Sequence, residues 1–143
     1  MSDTDLVKLY SGQILQLAAS IPHLGRLESP SGSAKQRSAL CGSSITADVV
    51  VLNGRITGFA QEVKACALGQ ASASILGRSV IGCTRDQLQQ ARDALDSMLR
   101  HNGPAPAAPF DGYEVLRAAR DYKNRHASIL LALTTTLAAI DAA

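Results

Sequence analysis

A chain of 143 residues with 46% hydrophobic and 18% charged residues is long enough for one folded domain with a real core and too apolar for a disordered segment. Aromatics at 3%, with no Trp, leave Leu, Ile, Val and Ala to build that core and deprive a single-stranded nucleic-acid platform of its stacking rings. A net charge of +2 supplies no dense basic field for a phosphate backbone.

The opening "MSDTDLVKLY" is acidic and has neither the basic nor the apolar region of a signal peptide, and no apolar run approaches the roughly 20 residues that cross a bilayer. The expectation is a cytoplasmic protein. In that reducing setting three cysteines, an odd number, read as free thiols or metal ligands and not as a disulfide framework.

Leu6, Leu9, Ile14, Leu17 and Ile21 recur near helical spacing and predict a helix over about residues 4–20, capped by Asp3 or Thr4. "PHLGRLESPSGSAKQRS" reads as a surface loop, with a weakly signalled strand inside residues 33–40. "ITADVVVLNGRITGFAQEV" is the strong strand signal. Its β-branched run breaks at Asn53-Gly54, a favoured two-residue hairpin turn, and resumes at Arg55. From Cys66 onward the pattern is helical: "CALGQASASIL", then "TRDQLQQARDALDSMLRH" with Thr84 as N-cap. A stiff "NGPAPAAP" loop follows, then "YEVLRAARDY" and "HASILLALTTTLAAIDA" as nearly continuous last helices. The expectation is a single α+β domain over 1–143: an N-terminal helix, a small three-stranded antiparallel sheet, then helices packed on it.

Cys41 stands just before the first clear strand and Cys66 just after the hairpin, so pairing of the two strands brings both thiols to one end of the sheet. Cys66 also falls at a helix N-terminus, which favours a thiolate. Two thiols alone are not a metal site, since a structural zinc wants four ligands, and two small buried cysteines are the plain alternative. Asp48 is the nearest acidic residue after Cys41, but it sits within a strand. A Cys–His hydrolase would pair Cys66 with His126, and no Asn or Asp is placed as the orienting third group. Cys83 reads as a semi-exposed thiol without a ligand role, His23 as structural and His101 as a surface residue ending a helix.

"LCGSS" followed by "ACALGQASASIL" resembles the NifU/IscU family of iron–sulfur cluster assembly scaffolds, and "LYSGQILQLAASIPHLGRL", "VIGCTRDQLQQ" and "RHASILLAL" extend the resemblance over nearly the whole chain. The resemblance implies a scaffold and not an enzyme. Such proteins hold a transient [2Fe–2S] cluster on three cysteines and an aspartate, with a histidine in one branch. They take sulfur from a cysteine desulfurase and pass the cluster to recipient apoproteins, and several bind Zn²⁺ at the same residues. Here Ser43 stands for the aspartate, and the third cysteine is replaced by Ala127 in one alignment or by Ser128 in another. The resemblance thus leaves Cys41, Cys66 and His126 as the expected ligands, with Ser43 a poor fourth. A homodimer sharing a cluster between two cysteine pairs would restore four thiolates. A divergent zinc-binding or regulatory homologue that has lost cluster assembly is the second expectation.

Overall fold

In the computed structural model, which describes residues 11–39 and 42–143, the first helix among the described residues is capped by Ser11. The Ser11 hydroxyl accepts a hydrogen bond from the Ile14 N–H at 3.4 Å, and α1 runs over Gly12–Ala19 with Ile14 and Leu17 buried. Ser11 itself is extended (φ −57°, ψ 159°), so the uninterrupted helix expected over 4–20 is broken there. A side-chain cap takes up an N–H that a continuing helix would have bonded through its own carbonyls. Asp3 and Thr4, the expected caps, lie outside the described residues.

Three antiparallel strands follow in the order β1 (Gly32–Arg37), β2 (Ser44–Leu52) and β3 (Arg55–Lys64). Asn53 (φ 54°) and Gly54 (φ 76°) are both left-handed, the geometry of the two-residue turn whose twist matches the strands it joins. β1 is the weakly signalled strand. Its residues alternate between covered and exposed, because one face lies under the last helix and the other meets water. Gly32 is required at its start, since a Cβ there would collide with the Ala139 carbonyl and stand 2.7 Å from the Ala143 nitrogen.

The helices are α2 (Ala67–Ser79), α3 (Arg85–His101), a 3₁₀ segment (Asp111–Ala119) and α4 (Lys123–Asp141). Thr84 caps α3 as expected, in a reciprocal box with Gln87. The expected near-continuity of the last helices fails: the 3₁₀ segment ends at Ala119 and α4 starts at Lys123. α2 is surrounded by α1, β3, the 3₁₀ segment and α4, which explains its alanines, serines and glycines, the residues that let backbones approach. Its Ser72 hydroxyl donates to the Ile129 carbonyl at 2.5 Å, and the buried Tyr113 hydroxyl donates to the Ser72 carbonyl at 2.9 Å, so both hydroxyls are paired inside the core.

The long loop before β1 is pinned by Asp48. This fully buried carboxylate accepts two bonds from Arg26 (2.7 and 3.1 Å), one from the Leu27 N–H (3.0 Å) and one from the Ser33 hydroxyl (2.6 Å). The Arg26 guanidinium holds its pKa down at about 2 against the opposing effect of burial, with Ser33 and Leu27 adding to the depression. His23 supports the same loop: its carbonyl accepts from the Gln61 N–H at 2.9 Å and its ring meets Phe59 edge-on. Asp48→Asn should lower stability at pH 7 by roughly 1–3 kcal/mol, read from urea unfolding. The folded pKa lies below the ordinary value of about 3.9, so the stabilisation is whole above about pH 4 and is lost as pH falls toward 2. Wild type and variant should converge over that window, and equal midpoints at pH 7 would refute the assignment.

Candidate functional site

The β2–β3 register pairs Ser44 with Lys64, which sets the residue before β2 and the residues after β3 at one end of the sheet. There Cys66 is the N-cap residue of α2, extended (φ −66°, ψ 170°) and partly exposed. Its Sγ lies 3.6 Å from the Oγ of Ser128, and Ser128 Oγ lies 2.9 Å from Ser43 Oγ. Ser43 and Ser128 are buried, so the partly exposed thiol is backed by two hydroxyls. Gly42, with φ 69°, provides the left-handed turn before Ser43, and the Ser38 N–H donates to the Ser43 carbonyl at 2.8 Å, tying the ends of the loop between β1 and β2.

Ser128 reaches this position because α2 and α4 touch at Gly69. A Cβ on Gly69 would stand 2.5 Å from Ser128 Oγ, 2.8 Å from the Ala65 Cβ and 3.3 Å from the Ser128 carbonyl. Of the two positions that the sequence leaves open for the missing third cysteine, the structure therefore places Ser128 beside Cys66, while Ala127 is exposed.

Cys41, the other expected thiol, lies outside the described residues. His126 is described, and it is not brought to the thiol. Its Nε2 lies 2.8 Å from the Arg120 carbonyl and 3.3 Å from that of Ala119. Carbonyls only accept, so Nε2 carries a proton there. Two helical positions separate His126 from Ser128, about 200° around the axis, and the two side chains leave on different faces of α4. The expected grouping of Cys66 with His126 is thus replaced by a grouping of Cys66 with Ser43 and Ser128. Asp48 is also elsewhere, its oxygens taken by Arg26, Leu27 and Ser33.

The chemistry follows from the atoms. A thiolate is a soft, charged donor for iron, zinc or sulfide-bridged iron, whereas a serine hydroxyl is neutral and hard. Among the described residues no group of three His, Cys, Asp or Glu could hold a metal ion. Cys83, expected to be semi-exposed, is buried instead. Its Sγ lies 3.1 Å from the Ser79 carbonyl, and burial pushes its pKa up with Arg55 opposing, the setting of an inert thiol. The sequence left Ala127 and Ser128 as alternatives for this position, and the structure decides for Ser128. The available signal was Gly69, which demands a close partner without naming it.

Nearly all of the chain matches solved structures. It overlays a nitrogen-fixing NifU-like protein (N-terminal) from Brucella abortus with a TM-score of 0.93 at 44% identity, over 96% of this chain and 95% of that one. A scaffold protein from the thermophilic Fervidobacterium islandicum AW-1, described as a putative iron–sulfur cluster assembly scaffold for the SUF system, gives a TM-score of 0.81 at 19% identity, over 94% and 98% of the two chains. A hypothetical protein solved at 2.3 Å gives 0.82 at 22%, again over 94% and 98%. These last two likenesses carry the fold alone. No protein-family model and no curated protein matches the sequence.

Gly69→Ala should lower stability by roughly 1–3 kcal/mol in thermal or urea unfolding, because Ser128 and the α4 backbone must give way. An unchanged midpoint would show that the two helices are not in contact there. In a Cys41→Ser background, Cys66 should react with a maleimide in the native state and Cys83 only after unfolding; peptide mapping that finds Cys83 labelled first would overturn the burial pattern.

Proposed function

Because the chain belongs to the NifU-like scaffold family, we propose that it is an iron–sulfur cluster assembly scaffold or carrier, with a [2Fe–2S] cluster as its cargo and not as a resident cofactor. The observation that supports this most is the position of Cys66, a partly exposed thiol at the sheet end beside Ser43 and Ser128. Cys41 stands two residues before Ser43 in the chain, within reach of the same end of the sheet. The thiols lose their protons to solvent as they bind iron, and iron and sulfide are held until a recipient apoprotein takes the cluster. In this reading a cysteine desulfurase delivers sulfur at the persulfide level, two electrons from an external thiol or electron-transfer protein reduce it to the sulfide that bridges the irons, and the protein works in the cytoplasm. No helix among the described residues is long and apolar enough to cross a membrane.

Nothing in this scheme turns over a small substrate. Hydrolysis by Cys66 and His126 finds no support, since His126 Nε2 is engaged by two backbone carbonyls. With Ser43 and Ser128 in place of charged ligands, Cys41 and Cys66 are the donors one chain offers, and two chains together supply the four thiolates of a [2Fe–2S] cluster. A second reading, a homologue that docks on the same machinery after losing assembly, is favoured by one observation: Ser43 and Ser128 satisfy each other at 2.9 Å.

Anaerobic reconstitution with ferrous iron and sulfide separates the two readings. The scaffold reading expects thiolate-to-iron charge-transfer absorption in the wild type and its loss in Cys66→Ala. Ser128→Cys, which puts a third thiol beside Cys66, should slow removal of the cluster by a chelator severalfold. A wild type that takes up no iron, with Ser128→Cys gaining the absorption, would establish the loss of assembly.

A further inference from the structure

A groove of about 1130 Å³ lies between the end of β1, α3 and the start of α4. Arg37, Arg92, Arg100, Arg120 and Lys123 line it, with Asp121 the one carboxylate among the described lining residues. The chain holds ten arginines, and Arg26, Arg55, Arg78, Arg85, Arg100 and Arg117 each donate to a carboxylate, hydroxyl or carbonyl. Of the other four, whose guanidinium groups make no hydrogen bond among the described residues, all but Arg125 line this groove: Arg37, Arg92 and Arg120. Asp93 and Asp121 stand 3.5 and 4.0 Å from Arg92 and Arg120, and both carboxylates are mostly exposed, so water screens these contacts. Arg37 and Lys123 are exposed and have no ion-pair partner among the described residues. Unspent cationic donors are thus concentrated at one place, on a surface whose other arginines are mostly satisfied.

Leu99, Leu130 and Leu131 lie beneath the groove but belong to the core, each at most 6% exposed, so they offer an occupant almost no apolar area. Among the described residues no Phe, Tyr or Trp lines it, so no such ring is there to stack on a nucleobase. What the groove does offer is donors. Three planar guanidinium forks each suit two oxygens of one phosphate or carboxylate, and an ammonium adds a point charge. A groove of this volume has room for several anionic groups on one frame. We propose that it binds a small polyanion, with phosphate or carboxylate groups on a compact frame that carries no aromatic ring. The groove is distinct from the thiol site, since Cys66, Ser43 and Ser128 do not line it, and binding there does not rest on the scaffold reading.

The test is isothermal titration calorimetry of the full chain with inorganic tripolyphosphate and, separately, with citrate. At least one should bind saturably at one site per chain, and more weakly as ionic strength is raised. Binding of tripolyphosphate alone would assign the site to phosphate groups, and binding of citrate alone to carboxylates. The double variant R37Q/K123Q changes two exposed side chains and should bind about tenfold or more weakly. The pair R55Q/R78Q makes the same change in net charge with exposed residues outside the groove and should stay within about twofold of wild type. Equal loss in both pairs would reduce the effect to net charge and overturn the proposal. So would an R37Q/K123Q variant that binds like wild type, the absence of saturable binding by either anion, or single inorganic phosphate binding as tightly as the polyanions.

Discussion

The structure depends on one helix having no free side. α2 is packed by α1, by β3, by the 3₁₀ segment and by α4, and nine of its thirteen residues are buried. A helix in that position cannot carry the apolar stripe and polar back of a surface helix, because it has no back. Its sequence answers with small side chains, and the serines among them spend their hydroxyls on neighbouring backbone, as Ser72 does on the Ile129 carbonyl. The low aromatic content of the chain follows from the same demand for close backbone approach.

That packing also decides what the end of the sheet can offer. Cys66 is fixed twice, by the strand that ends before it and by the helix that starts after it. Ser128 is fixed by the contact of α4 with Gly69, and Ser43 by the start of β2 and its bond to Ser128. The three side chains therefore converge through backbone placement, with the Ser43–Ser128 hydrogen bond joining two of them. Serines at positions 43 and 128 set two neutral hydroxyls, and no charged donor, behind the thiol.

Much of this was legible in the residues. The Asn53-Gly54 turn fixed the hairpin, Thr84 and Gln87 fixed the start of α3, and the placement of Cys66 after a strand and before a small-residue helix followed from pattern alone. β1 was faint because a half-covered edge strand with Lys, Gln and Arg on it carries little apolar signal. The break at Ser11 was hidden by leucines and isoleucines that keep helical spacing on both sides of it. The choice between Ala127 and Ser128 stayed open for another reason: which residue of α4 faces Cys66 depends on how two helices cross, and the phase of a helix with buried residues nearly all round cannot be read from its own hydrophobicity. Asp48 looked like a spare carboxylate because its partners, Arg26, Leu27 and Ser33, are 15 to 22 residues away in the chain.

His126, expected among the ligands, is engaged instead with the backbone of the turn before α4. By donating from Nε2 to the carbonyls of Arg120 and Ala119, it closes the turn that separates the 3₁₀ segment from α4. The turn sets where α4 begins and hence its phase. That phase puts Ser128 against Gly69 and Cys66 on one face of α4, and Ala127 and Leu130 along the cationic groove. The same turn carries Arg120 and Lys123 into the groove wall. An imidazole among metal ligands would be chosen for its lone pair, whereas here its N–H, a donor the turn's carbonyls can share, is what the structure uses. Ser128 beside the thiol and the residues along the cationic depression therefore lie on different faces of one helix.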